Sequence, residues 1–385
     1  MITTITAFTQ DPDDVEGAVS SLLDQLKVKP LKKHSVGIVS CFADFIGSGT
    51  WALLAEKLPF SLVGTTTLGA SGPDGQGDVI LILTVLTSDD VEFVTGLAVP
   101  VTGEDDAPFR AAYDKIAQTR QDRPSLMLSF APLLIGVSAD FFVESWDAIT
   151  GGVPNFGALS VDHNPDYRES QTLYDGRAFR DGYAFVLCYG KLEPRFFIGG
   201  IPEEKAFREK GVITASRGNQ LKEVNGISVA DYLVSLGLEK DEKGVIQGIN
   251  SYPFILDYND GTQPVIRVMF AITPDGSAVC GGKMPEGSVL TVGALDAKEI
   301  QETTGKVLRQ ALDGREDRSL LIFSCVGRYF AQGFNTTGEM DLARQILDKT
   351  PFHMAYCGTE ICPVYGKDNS LTNRSHNDTM VICVL

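Results

Sequence analysis

Three widely separated apolar runs, each closing on a serine, set the pattern of this chain: SVGIVSCF at 35–42, SLMLSFAP at 125–132 and SLLIFSCV at 319–326. Short, nearly continuous apolar runs of this kind are what strands covered on both faces show. Each run is followed by a segment with apolar residues at helical spacing, WALLAEKL, DFFVESWDAI and MDLARQILDK, and each of these stops before a proline: Pro59, Pro154 and Pro351. Proline cannot continue a helix and restrains the residue before it, so the three prolines mark helix ends. A second apolar segment then runs into small residues (FSLVGTTTLG, NFGALSVD and FHMAYCGTE). After an excursion rich in Gly, Asn or Asp, a third apolar segment closes the unit (DVILILTVL, YAFVLCYG and TMVICVL). The order strand, helix, strand, loop, strand therefore occurs three times.

This order predicts a mixed α+β fold of repeated strand-helix-strand-strand units, with mixed sheets flanked by helices. A strand, a crossover helix and a parallel neighbour form the usual right-handed unit, and residues just past the carboxyl ends of its strands line a crevice. Ser40, Ser129 and Ser324, and turns such as Thr65 and Thr66, are then expected as pocket walls. Ahead of the repeats, Asp11 as cap, Pro12 in the first turn and apolar Val15, Ala18, Val19, Leu22, Leu23 and Leu26 predict an amphipathic helix. Between the second and third repeats lies different material. GVITASRGNQLKEVNGISVADYL predicts a hairpin turning at Asn225-Gly226 and a helix entered at Asp231. PVIRVMFAITPDGSAVCGGKMPEGSVLTVG predicts antiparallel strands around Pro274-Asp275-Gly276 and Pro285-Glu286-Gly287. A domain boundary is expected near residues 226–230.

Charge narrows the partners. With 33 Lys and Arg against 50 Asp and Glu, the net charge of -17 repels phosphate backbones and anionic membrane surfaces, so neither nucleic acid nor membrane is expected as a partner. No basic region precedes an apolar core at the start, and no apolar stretch is long enough to span a bilayer, which predicts a soluble cytoplasmic protein. Seven irregularly spaced cysteines fit free thiols in a reducing compartment.

The candidate chemistry is sparse. GSGTWA, Gly47 to Ala52, formally fits a dinucleotide-binding glycine pattern, but the next strand ends in Thr65, Thr66 and Thr67 where an acid should hold the ribose, so no nucleotide cofactor is called for. His353, Cys357, Cys362 and His376 are soft ligands in one stretch, yet their spacing departs from structural zinc patterns, and no metal is expected. Cys325, with His376 as base and Asp378 as orienter, would make a thiol hydrolase or transferase. Arg267 lies inside the apolar run PVIRVMFAI, where an unpaired guanidinium is costly, so it should meet a carboxylate such as Glu360 or a ligand anion. Arg328 and Glu360 belong to the same repeat and are expected on facing pocket walls.

Five stretches, FSLVGTTTLGA, VITASRGNQLKEVNGISVADYL, FSCVGR, YCGTEICP and the closing HNDT, together resemble the FIST family of sensory proteins, in order along nearly the whole chain. The resemblance implies an amino-terminal FIST domain over 33–225 and a carboxy-terminal one over 226–385 with the final strand, behind an amino-terminal helical segment at 1–32. It implies a signal-input module binding small molecules, amino acids or their derivatives, with a separate signalling output partner. Cys325, Gly327 and Arg328 match the family's Cys-x-Gly-Arg segment, and Glu360, Ile361 and Pro363 its Gly-Glu-Ile-x-Pro. Thr359 stands where that motif has glycine, with Gly358 one position earlier. Asn377 and Thr379 match Asn-x-Thr. The ligand-binding set expected on these grounds is Cys325, Arg328, Glu360, Arg267, Gly358, Asn377, Thr65 and Thr66. For a zwitterionic ligand, arginine would take the carboxylate and Glu360 the ammonium.

Overall fold

The three serine-ended runs form central strands, His34–Cys41, Leu126–Ala131 and Leu320–Cys325, and each is fully or almost fully buried. The computed structural model describes residues 2–385 other than 104, 165, 243–244, 313–317 and 334. In every repeat the central strand pairs in parallel with the strand after its helix (Leu62–Thr66, Asn155–Leu159 and Phe352–Cys357). On its other side it pairs antiparallel with the closing strand (Leu81–Ser88, Tyr183–Tyr189 and Met380–Val384). A leading strand, Thr3–Thr9, Glu92–Ala98 or Arg195–Gly199, edges each closing strand. The result is mixed α+β, as the pattern predicts.

The Gly-rich excursions exchange between repeats. The hairpin Ala70–Ser71/Gln76–Gly77 of the first repeat pairs onto Phe352–Cys357 of the third. Thr172–Tyr174/Arg177–Phe179 of the second pairs onto Leu62–Thr66 of the first. Glu360–Tyr365/Leu371–His376 of the third pairs onto Asn155–Leu159 of the second. Each six-stranded sheet is thus completed by a hairpin from another repeat, closing the three into a ring. The inner faces share one core, in which Val36, Phe130, Phe156, Phe323, Val381 and Cys383 meet. Burial on this scale, at roughly 25 cal/mol per Å² of apolar surface, is the main force holding the ring closed.

Two expectations change. Residues 1–32 are not purely helical: TTITAFT alternates buried and part-exposed positions and forms the strand Thr3–Thr9. The helix begins at Val15 with Asp14 as its cap, accepting from the Gly17 N–H at 2.9 Å, while Asp11 takes the N–H groups of Asp13 and Asp14. In the inserted material, Lys210–Arg217 turns at Gly218, not at Asn225, to pair with Gln220–Val224. Asn225 and Gly226, both with positive φ, make a second turn into Ile227–Ser228, and the following helix starts at Val229 under a Ser228 cap. Two consecutive positive-φ residues are the two-residue hairpin signature, which locates the second turn but conceals the first. Further antiparallel strands complete this sheet, with its own core around Leu221, Phe254, Met269 and Leu290. Among the described residues no helix is long and apolar enough to cross a membrane.

Candidate functional site

At the carboxyl ends of the central strands of the second and third repeats, roofed by the inserted sheet, lies a cavity of 630 Å³. The second repeat contributes Leu133–Ala139 and Leu159, the third Cys325–Gly327, Phe330, Gly358 and Thr359, and the insert Asn219, Val268, Phe270 and Val279–Gly281. Its position follows from topology: both parallel pairs end here, and the chain must turn away from the sheet. Ile135, Phe270 and Phe330 are 93%, 65% and 58% exposed and stand at its rim.

The polar groups gather where the third repeat meets this space. Cys325 is the last residue of its strand, and its register partner in the parallel neighbour is Cys357. Cys357 donates its thiol to Glu360 Oε1 at 3.3 Å, and Thr379 donates to Glu360 Oε2 at 2.7 Å. Asp378, with φ of 51°, occupies the left-handed region that aspartate tolerates better than most residues. Asn377 donates to Thr359 Oγ1 at 3.4 Å, and Thr359 in turn to the Gly358 carbonyl at 2.8 Å. The threonine in place of the motif glycine therefore anchors Asn377. Asp378 Oδ2 and Asn377 Oδ1 are buried without a hydrogen-bond partner among the described residues.

Electrostatics here follow from burial. Glu360, fully buried, has its carboxyl pushed up to about 8, chiefly by desolvation against the opposing hydrogen bonds of Thr379 and Cys357. Burial pushes Asp378 up to about 7, partly offset by the charge of Arg328. Burial, then the nearby carboxyls of Glu360 and Asp378, hold the Cys325 thiol well above its ordinary value, although Gly327 and Asp378 N–H groups pull the other way. Burial pushes the Tyr167 hydroxyl, at the same cavity, up to about 12.

Several expected residues lie elsewhere. Arg328 is fully buried and does not face Glu360. Its Nε and Nη2 donate to Glu339 Oε1 at 3.1 and 2.7 Å, and Nη2 also to Thr304 Oγ1 at 2.8 Å. Ser324 donates to the other oxygen of Glu339 at 2.9 Å. Arg267 meets Asp140, not Glu360, with Nη2 3.1 Å from Oδ1, and also donates to Tyr258 Oη and the Ser375 carbonyl. Although burial opposes it, Asp140 is held below the usual carboxylate range by Arg267 and by hydrogen bonds from Ser375, Lys283 N–H and Ser138. Both arginines are joints between elements. Thr65 and Thr66 are buried in the first repeat, away from this cavity, with Thr66 bonded to the Gln171 backbone. Ser40 and Ser129 also point to internal partners, His353 and Asn155.

The residues of the thiol-enzyme reading are likewise separated. His376 is bonded through Nε2 to the Cys362 carbonyl at 3.0 Å and lines a different cavity of 1010 Å³, between the insert and the third repeat. Burial depresses it to about 4, so it is neutral at physiological pH. The turn from His376 to Thr379 is thus a wall between two spaces, with Asn377 and Asp378 on the first and His376 and Thr379 on the second. His353 sits between Ser40 and Thr84, depressed to about 3 by burial. Among the described residues no cluster of His, Cys, Asp or Glu has the makings of a metal site. Of the expected set, Cys325, Gly358 and Asn377 line the cavity and Glu360 backs it. Asp378, Tyr167 and Phe270 of the insert also line the cavity and were not in the expected set, although Asp378 lies within the HNDT segment.

Fold and cavity define a three-repeat α+β protein with a small-molecule-sized pocket between repeats. Family models match residues 35–227 as a FIST N domain and 228–363 as a FIST C domain, and the chain belongs to the FIST family. FIST domains are associated with sensory signal transduction. No curated protein matches the chain. A crystal structure of a cyanuric acid hydrolase from A. caulinodans is similar over 50% of this chain and 72% of its own, with 10% identity and a TM-score of 0.28, too low to inform fold or chemistry.

Proposed function

We propose that this protein is a sensory small-molecule receptor, with the cavity between the second and third repeats as its ligand site and amino-acid-related metabolites as its ligand class. One observation carries this reading: polar groups without internal partners, contributed by Asn377 and Asp378, stand at the wall of a largely apolar enclosure of ligand size. Buried polar groups are ordinarily hydrogen-bonded, so two that are not, beside a cavity, mark a place for a ligand. A separate output protein would read the bound state through altered contacts at the rim, where Ile135, Phe270 and Phe330 are exposed. Seven free cysteines, all buried, fit a cytoplasmic location. The thiol-enzyme reading loses support because Cys325 has carboxyls for neighbours and its proposed base lines another cavity.

The test is a thermal-shift screen of amino acids and their derivatives on the protein and on Val279→Trp, which fills the cavity. A ligand binding only the folded state raises the melting temperature by mass action. Shifts lost in the variant, with the ligand recovered unchanged, support the reading; no shift, or shifts that survive the filling, sink it.

A further inference from the structure

The cavity sorts charge. Its lining includes Asp378, Asp166, Asn377, Asn219, Thr359 and Tyr167 as polar residues and, among the described residues, no lysine, arginine or histidine. The cations around it are paired with carboxylates: Arg328 with Glu339, Arg267 with Asp140, Lys283 with Glu144, and Arg168 with Asp166 at 3.9 Å. A ligand carboxylate entering here would give up water and find no counter-charge, which is costly in a desolvated space. A donor-rich cation finds the reverse. Asp378 Oδ2 and Asn377 Oδ1 are both acceptors, and both are unpartnered. Their placement is built rather than incidental. A Cβ on Gly327 would lie 2.1 Å from Asp378 Oδ1, and one on Gly281 would lie 2.3 Å from Asn377 Oδ1, so the absence of side chains at these two positions makes room for the two head groups. Ser138, Asn250 and Ser251 add further polar groups, but most of the lining, including Leu133, Leu159, Val268, Val279, Val326 and Phe270, is apolar and suits an apolar body.

We propose that the ligand of this cavity is a primary amine with an apolar body and no free carboxylate, its ammonium held by Asp378 and Asn377. This rests on the sensory-site reading and narrows its ligand class to amino-acid derivatives whose carboxylate is lost or masked. Burial alone keeps the Asp378 carboxyl reluctant to ionise, and an adjacent ammonium restores its charged form.

Calorimetry with four probes of one body tests it: phenethylammonium, 2-phenylethanol, 3-phenylpropionate and phenylalanine. The expected order places phenethylammonium at least tenfold tighter than the other three. Asp378→Asn, whose side chain tolerates the same left-handed backbone, is expected to weaken it at least tenfold while the other probes are unchanged. The anion or the zwitterion binding as tightly as the amine, with binding lost in Val279→Trp, overturns the amine class and leaves the site standing. No binding by any probe overturns the amine class. Tight binding that survives Val279→Trp overturns the site as well.

Discussion

Arg328 Nη2 lies 2.7 Å from Glu339 Oε1, with both side chains fully buried, and this pair locks the short helix Val326–Ala331 to the helix Gly338–Leu347. Ser324 and Thr304 donate to the same carboxylate, so the guanidinium completes a network under the third sheet. Arg328→Met therefore strands a buried carboxylate and is expected to destabilise the fold by about 3 kcal/mol or more. The double variant Arg328→Met/Glu339→Leu, which removes both charges, should recover part of that loss. Urea unfolding of the three proteins checks it, and a single variant as stable as the parent would contradict the structural role.

Much of this architecture is legible in the sequence because it repeats. Serine-ended apolar runs, prolines after helices and small-residue turns are local features, and each appears three times. What sequence does not show is pairing at a distance. Glu360 sits close to Arg328 in the chain and Glu339 closer still, yet only the packing of two helices decides which carboxylate the arginine meets. Asp140, the partner of Arg267, lies 127 residues away in the second repeat, outside the insert that holds Arg267, and no periodicity links the two. The exchange of hairpins between repeats is hidden for the same reason, since turn residues mark the excursions without showing which sheet they join. For the site, Cys325 and Asn377 were reachable from the strand end and the HNDT motif. Phe270, Val279 and Tyr167 enter it only because the inserted sheet and the loop after Leu159 fold over it.

The Arg267–Asp140 pair joins the inserted sheet to the second repeat, and Arg267 also reaches the third through the Ser375 carbonyl. Asp140→Asn keeps shape and one acceptor oxygen but leaves a buried guanidinium without its counter-charge. A loss of about 3 to 5 kcal/mol is expected. Because the joint lies between subdomains, limited proteolysis of the insert around residues 202–295 should accelerate before the ring is cut. Simultaneous cleavage everywhere would show that the pair supports the whole fold and not this joint.

Glu360 and Asp378 give the stability a pH signature. Unfolded, both ionise near pH 4; folded, they hold their protons until about 8 and about 7. The native state therefore binds more protons between those limits. Their contribution to stability is complete below about pH 4 and is lost as pH rises through the folded values, at no more than about 1.4 kcal/mol per pH unit for each group. Glu360→Gln abolishes one of the two descents. Denaturant melts of parent and variant at pH 5, 6.5 and 8.5 should show the variant gaining relative to the parent as pH rises. Parallel curves would mean that Glu360 is ionised in the native protein.

Cys325 should be a poor nucleophile. The thiolate is the reactive form, and burial with two adjacent carboxyls keeps this thiol protonated. In the folded protein at pH 7.5, iodoacetamide is expected to label it more slowly than a free cysteine, without preference over the other six. Cys325→Ser should fold and keep ligand affinity within about threefold. Rapid labelling confined to Cys325 would revive the thiol-enzyme reading.

Gly327 offers a test of the site in which the usual sign of a substitution is reversed. It lies in the helix Val326–Ala331, where alanine in place of glycine ordinarily stabilises by roughly 0.5 to 1 kcal/mol. Here the added Cβ would fall 2.1 Å from Asp378 Oδ1, and 3.7 Å from Cys325 Sγ, so the Asp378 carboxyl must swing away. Gly47→Ala is the matched control in the first repeat, at the end of the helix Asp44–Gly47, because its Cβ would meet nothing within 4 Å. The control is expected to leave stability within about 0.5 kcal/mol and ligand binding untouched. Gly327→Ala should remain folded, lose stability by about 1 to 3 kcal/mol through overpacking, and lose at least tenfold in phenethylammonium affinity as the acceptor leaves its place. Calorimetry and denaturant melts on the two alanine variants decide it. A Gly327→Ala protein that binds the amine as the parent does would remove Asp378 from the ligand's surroundings.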